Sequence, residues 1–182
     1  PTTEAEILLA EQRYPQFPYE INKAIPEVVH RYFAATLGFI AILLVAFAFK
    51  HKLPTKIKAI ASFLLVFICC QGLFGYLTVS LKLLPIIVTG HLFGGFITLS
   101  LFFYLFLSTT NLIKSHQIGH LKFLGSIALI ALVIQIFLGA WTSTNYASLA
   151  CLDFPTCHGT FAPEMNFADG FNLSQEVGPN YL

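Results

Sequence analysis

Two histidines and their neighbours carry most of the chemistry this chain can do. His30 stands in Glu27-Val28-Val29-His30-Arg31, four residues beyond Pro26. His91 stands in Gly90-His91-Leu92-Phe93-Gly94-Gly95, six residues beyond Pro85. Each lies near the start of a long run without formal charge, and an ionisable group inside an apolar span is a functional hypothesis by default. With a rise of about 1.5 Å per residue, the two lie within about 3 Å of the same depth below their helix starts. Two imidazoles at one level, on helices running the same way, can clamp a planar cofactor. Haem iron is the natural candidate, because histidine ligation is common and such sites are built between facing helices. The glycines around His91 leave room for a macrocycle. Zinc takes three or four ligands, and only these two stand at that depth. The alternative is a pair of interfacial histidines bonded to neighbouring backbone or side chains.

Glu27 and His30 are i, i+3 neighbours, and Glu27 and Arg31 are i, i+4 neighbours. A carboxylate there can orient the His30 ring, accept a proton or face a cofactor edge. Arg31 suits a propionate. A plainer account is that Glu27 complements a helix N-terminus while Arg31 snorkels to the interface. His51, His116 and His120 fall in basic loops and are read as solvated, and His158 follows Cys157.

The elements that must position these groups follow from the charges. Of 182 residues, 56% are hydrophobic and 10% charged, with mean hydropathy +0.74, against about 25% charged in a soluble domain. That excludes a disordered chain. A net charge of +1 argues against a nucleic-acid partner. Four cysteines are too sparse for a disulfide scaffold. Uncharged runs lie between Arg31 and Lys50, Lys58 and Lys82, Lys82 and Lys114, and Lys122 and Asp153. A hydrocarbon core of roughly 30 Å takes about 20 apolar residues as a helix, so each run holds one span. A soluble protein of this size could not bury four such helices. The spans are expected at 27–49, 58–80, 85–108 and 121–145, with Pro26 and Pro85 in first turns, where proline is best tolerated.

The fold class is therefore all-α, a polytopic membrane helical bundle of four transmembrane helices. Lys50, Lys52, Lys56, Lys58, Lys114 and Lys122 collect on one side, which places 50–57 and 109–120 in the cytoplasm and both termini outside. All nine acidic residues fall on the opposite side. The expected organisation is an extracytoplasmic segment 1–26, three spans over 27–108, a cytoplasmic linker 109–120, a fourth span over 121–147 and an extracytoplasmic loop 148–182. The chain opens on Pro1 and ends in a polar tail leading to no further span, as a piece of a longer polytopic protein would.

Gln71-x3-Gly75-x2-Thr78-x-Ser80 in the second span aligns with Gln135-x3-Gly139-x2-Thr142-x-Thr144 in the fourth. Small and polar residues on one face let helices approach and hydrogen-bond. The match reads either as two independent packing stripes or as a duplicated bundle related by an axis along the membrane normal. Cys69 and Cys70 are read as reduced packing residues. Cys151 and Cys157 frame a turn at Pro155 in an oxidising compartment, which favours a disulfide; a redox-active pair has the same spacing.

The chain resembles the haem A synthases, integral membrane enzymes that oxidise a methyl group of haem O to the formyl group of haem A. The resemblance rests on Glu27 to Arg31, on Gly90 to Gly95, on Gln135-Ile136-Phe137-Leu138-Gly139-Ala140-Trp141 running on to Tyr146, and above all on Ala150-Cys151-Leu152-Asp153-Phe154-Pro155-Thr156-Cys157. Leu152 departs from the proline of many members. The resemblance implies eight spans in two repeated four-helix halves, of which these are the second to the fifth. It implies that His30 and His91 are the axial ligands of the haem iron in the half that takes substrate haem O. Glu27 then matches the acidic residue implicated in the oxidation, and Cys151 and Cys157 match the cysteine pair of the second half; Arg31 is expected at the same haem from its spacing to Glu27 alone. Haem B belongs to that second half, whose His ligands are not in this chain, so the fragment alone is expected to be inactive. The implied setting is the cell inner (plasma) membrane. The implied partners are haem O, the lipid bilayer, haem O synthase, an electron acceptor and a second copy of the protein. The rival is a membrane b-type cytochrome passing electrons between quinone and a partner.

Overall fold

The computed structural model describes residues 3–13, 15, 20–110, 119–147, 150–151 and 153–173, without the side chains of Lys23 and His120. Among the described residues six helices follow one another: α1 (Glu4–Arg13), α2 (Ile21–Lys50), α3 (Thr55–Ser80), α4 (Pro85–Thr109), α5 (Gly119–Thr144) and α6 (Phe167–Gly170). Four are long and apolar enough to cross a membrane, over Ala24–Lys50, Thr55–Ser80, Pro85–Thr109 and Leu121–Thr144. These agree closely with the spans expected from the charges. Large apolar side chains such as Phe33, Phe63, Phe103 and Leu132 face outward from the bundle. In lipid, that surface has no reason to turn inward.

Two details differ from expectation. Pro26 lies inside α2, not in its first turn. It lacks the N–H that would bond the Asn22 carbonyl, and the span begins only at Ala24. The freed carbonyl therefore meets the water boundary, and the helix runs on. Residues 4–13, expected only as part of an outer segment, form α1. Its start is a capping box, in which the Glu6 N–H donates to Thr3 Oγ1 (3.4 Å) and the Thr3 N–H donates to Glu6 Oε2 (3.2 Å). Glu4 and Glu6 in the first turn and Arg13 in the last suit the helix dipole. Of the linker expected at 109–120, residues 111–118, with Lys114 and His116, lie outside the described residues, as do Leu152 and 174–182.

The two tight connections share one device. At the end of α2 the Leu53 N–H donates to Ala48 O (3.0 Å) and the Lys52 N–H to Phe49 O (3.1 Å). At the end of α3 the Leu83 N–H donates to Thr78 O (2.8 Å) and the Lys82 N–H to Val79 O (3.1 Å). Both are Schellman closures, with a lysine in the left-handed position (φ 50° each) where glycine is usual. Such short turns make α2, α3 and α4 antiparallel neighbours, so α2 and α4 run the same way. α3 packs against both, and α5 packs against α4.

Candidate functional site

No backbone contact joins α2 to α4; both lean on α3. The space between them is a cavity of about 840 Å³, within the usual range for a small-molecule site. Helical spacing turns Glu27, His30, Arg31 and Ala34 of α2 towards it, and His91, Gly95 and Thr98 of α4 complete the far wall. Gly72 and Gly75 of α3 form its floor. Small residues on all three helices leave the space between the walls unfilled, and the remaining lining is largely aliphatic or aromatic.

His30 and His91 meet across this cavity, with ring centroids 6.3 Å apart and ring planes at 82°. A metal–imidazole bond of about 2 Å on each side would set two ring centres about 6 Å apart, so the separation fits one ion held between them. Among the described residues no cluster of three or more His, Cys, Asp or Glu stands ready for a metal. Two imidazoles without a third protein ligand form the donor set of an axially held porphyrin iron rather than of zinc. The residues present therefore fit a haem.

Glu27 and Arg31, i, i+4 neighbours that both line the cavity, form an ion pair, Arg31 Nη2 donating to Glu27 Oε1. Both remain well exposed. They are thus within reach of whatever enters.

The α3–α4 contact carries groups that sequence reasoning assigned only to packing. A methyl group on Gly75 would lie 3.3 Å from Cε1 and 3.6 Å from Nε2 of His91. The Gln71 carboxamide fills the place of a side chain at Gly94, its Nε2 only 1.8 Å from where a Cβ would stand. Among the described residues, three buried side-chain polar atoms lack a hydrogen-bond partner: Gln71 Oε1, Thr89 Oγ1 and His91 Nδ1. Gln71 and Gly75 were visible in the sequence as a small/polar stripe; their place at the histidine was not. The matching Gln135 and Gly139 of α5 are exposed, and nothing approaches Gly139 within 4 Å.

Cys151 and Cys157 are joined in a disulfide and do not line the cavity. Cys69 and Cys70 are free and exposed. His51 stacks on Phe47 (4.3 Å), away from the site. The disulfide loop is built around Asp153, whose carboxylate accepts from the Thr156 hydroxyl and from the N–H groups of Gly159 (2.9 Å) and His158 (2.8 Å). These donors hold its carboxyl at about 2, below the usual 3.8. Residues 170–171, beyond the loop, return to α5. The Trp141 indole N–H donates to Gly170 O (2.8 Å), and its ring stacks between Phe137 and Phe171.

Residues 1–178 match the family of cytochrome oxidase assembly proteins COX15-CtaA. The chain belongs to that family. The heme A synthase of Shewanella oneidensis is 36% identical over 184 residues, a match that takes in 100% of this chain and 55% of that protein. The chain thus spans about half the length of the curated relative it matches. No solved structure matches it. Membership agrees with the resemblance carried by the motifs at His30, His91 and Cys151 to Cys157, and with the four spans.

Proposed function

We propose that this chain is the substrate-haem portion of a haem A synthase, and that His30 and His91 hold haem O for oxidation of its methyl group to a formyl group. The single observation that carries the proposal is the pair of imidazoles 6.3 Å apart across a cavity walled by glycine and apolar side chains. Iron and porphyrin supply the redox chemistry when bound, and the protein supplies ligation, orientation and proton acceptance.

Each residue has a distinct task in this reading. His30 and His91 fix the height and tilt of the substrate between α2 and α4. Glu27, ion-paired with Arg31, takes protons released as the methyl carbon is oxidised, with water as the oxygen source and the four electrons passing to the proposed electron acceptor. Arg31 has donors to spare for a propionate beside the Glu27 carboxylate. The lysine distribution supports an extracytoplasmic site, with 50–57 and 109–120 in the cytoplasm and both ends of the chain outside. The Gln135–Gly139 face of α5 supports a second, repeated half of the whole protein, which would carry haem B. Haem O synthase, an electron acceptor and self-association are proposed as partners in the cell inner (plasma) membrane.

The test is pigment extraction from the intact protein purified in detergent. Haem O or haem A supports the synthase. Haem B alone identifies a b-type cytochrome instead, and a colourless protein rejects both.

A further inference from the structure

We propose that Gln71, on the helix that supplies no ligand, is the positioning residue for His91, accepting a hydrogen bond from its Nδ1–H through the side-chain oxygen. The inference rests on the haem-binding role given above to His91. A histidine that binds metal through one ring nitrogen almost always donates the other N–H to an acceptor, which fixes the ring and raises its basicity. His91 Nδ1 and Gln71 Oε1 are both buried without a hydrogen-bond partner, while the Gln71 main-chain carbonyl, which also faces the His91 ring, is already engaged in the helical ladder of α3. Nδ1 is a donor when the ring ligates through Nε2, and Oε1 is an acceptor. Leaving a buried polar atom unpaired costs its full desolvation, so the two orphans have reason to meet.

The packing places them as neighbours. The His91 ring lies over Gly75, and Gln71 is one turn away on the same face of α3, about 5–6 Å along it. The carboxamide is seated in the gap left by the missing side chain of Gly94, one turn from His91 on α4. Gly75 and Gly94 thus open two adjoining slots, one for the ring and one for the amide. Packing alone asks for neither a carboxamide nor a buried unpaired oxygen at position 71. An acceptor for the ligand histidine explains both.

The test compares Gln71→Met, nearly isosteric and without the acceptor, with Gln71→Glu, which keeps one, in the intact haem-loaded protein. Losing the acceptor makes the imidazole a poorer donor to ferric iron. Gln71→Met is therefore expected to raise the midpoint potential of this haem and to weaken haem retention by about 10- to 100-fold. Gln71→Glu is expected to keep the haem with a potential at or below that of the unaltered protein. An unchanged potential in Gln71→Met, or the same upward shift in both variants, overturns the inference. Should Gln71→Met fail to accumulate, Gln71→Leu serves in its place, read against Gln71→Glu by the same criterion. The low-spin haem spectrum of His91→Ala separates the two levels of argument. A spectrum untouched by that change overturns the haem-binding role itself, whereas one that is lost leaves the Gln71 comparison decisive.

Discussion

The imidazole of His91 lies against the bare backbone of Gly75, close enough that a methyl group there would stand 3.3 Å from Cε1. One turn away the Gln71 amide takes the place a side chain would occupy at Gly94. The two glycines should therefore respond differently to the same substitution. Gly94→Ala must expel the amide and is expected to destabilise the α3–α4 contact by about 1–3 kcal/mol, the usual cost of overpacking. Gly75→Ala asks the ring to move by only a few tenths of an ångström. It is expected to change stability less but to shift the haem spectrum. Thermal unfolding in detergent, followed alongside the visible absorption, separates the two.

The proposed function predicts a shared loss at His30 and His91. If they hold the haem together, His30→Ala and His91→Ala are each expected to abolish its low-spin form in the intact protein, because one imidazole would be missing from the pair. The double variant should be no worse than either single one. Haem content and absorption of the purified protein measure this. Full retention of the spectrum in either single variant would refute the pairing.

Glu27 and Arg31 separate binding from chemistry. Glu27→Gln preserves size but cannot accept a proton. Under the proposed function it is expected, in the intact protein, to keep haem O bound while formyl production falls by about 10²- to 10⁴-fold, the usual contribution of a positioned base. Arg31→Leu should weaken haem binding instead. Haem O and haem A, quantified by chromatography of extracted pigment, test both.

The loop closed by Cys151 and Cys157 has a pH signature of its own. The carboxyl of Asp153 is held at about 2, below its usual 3.8, by the Thr156 hydroxyl and the amides of Gly159 and His158. A depressed carboxyl stabilises the fold fully above the unfolded value and loses that contribution as pH falls through the folded one. Order in the loop should thus be constant from neutral pH to about 4 and fade towards 2. Intrinsic-rate-corrected exchange of the His158 and Gly159 amides measures this, and Asp153→Asn should show fast exchange even at neutral pH.

The helices themselves were legible from charge and hydropathy, because a segment crossing lipid must satisfy its own backbone hydrogen bonds and so announces itself over its whole length. The face shared by Glu27, His30 and Arg31 was equally legible, since i, i+3 and i, i+4 spacing is a property of one helix. Pro26 misled, because a proline reads as a helix start although the break it makes is harmless at the water boundary. The docking of Gly170 on Trp141 was not legible, because a contact so distant along the chain leaves no local pattern.

By itself, then, the sequence determined four membrane helices, a carboxylate, a guanidinium and an imidazole on one face of α2, and a second imidazole at similar depth on α4. The packing added that α2 and α4 straddle α3 without backbone contact, that the rings stand 6.3 Å apart, and that Gln71 and Gly75 lie beside His91. Spacing along one helix is set by its own hydrogen bonds. The register between helices is set by which small residues let backbones approach, in a solvent that does little to push apolar faces together.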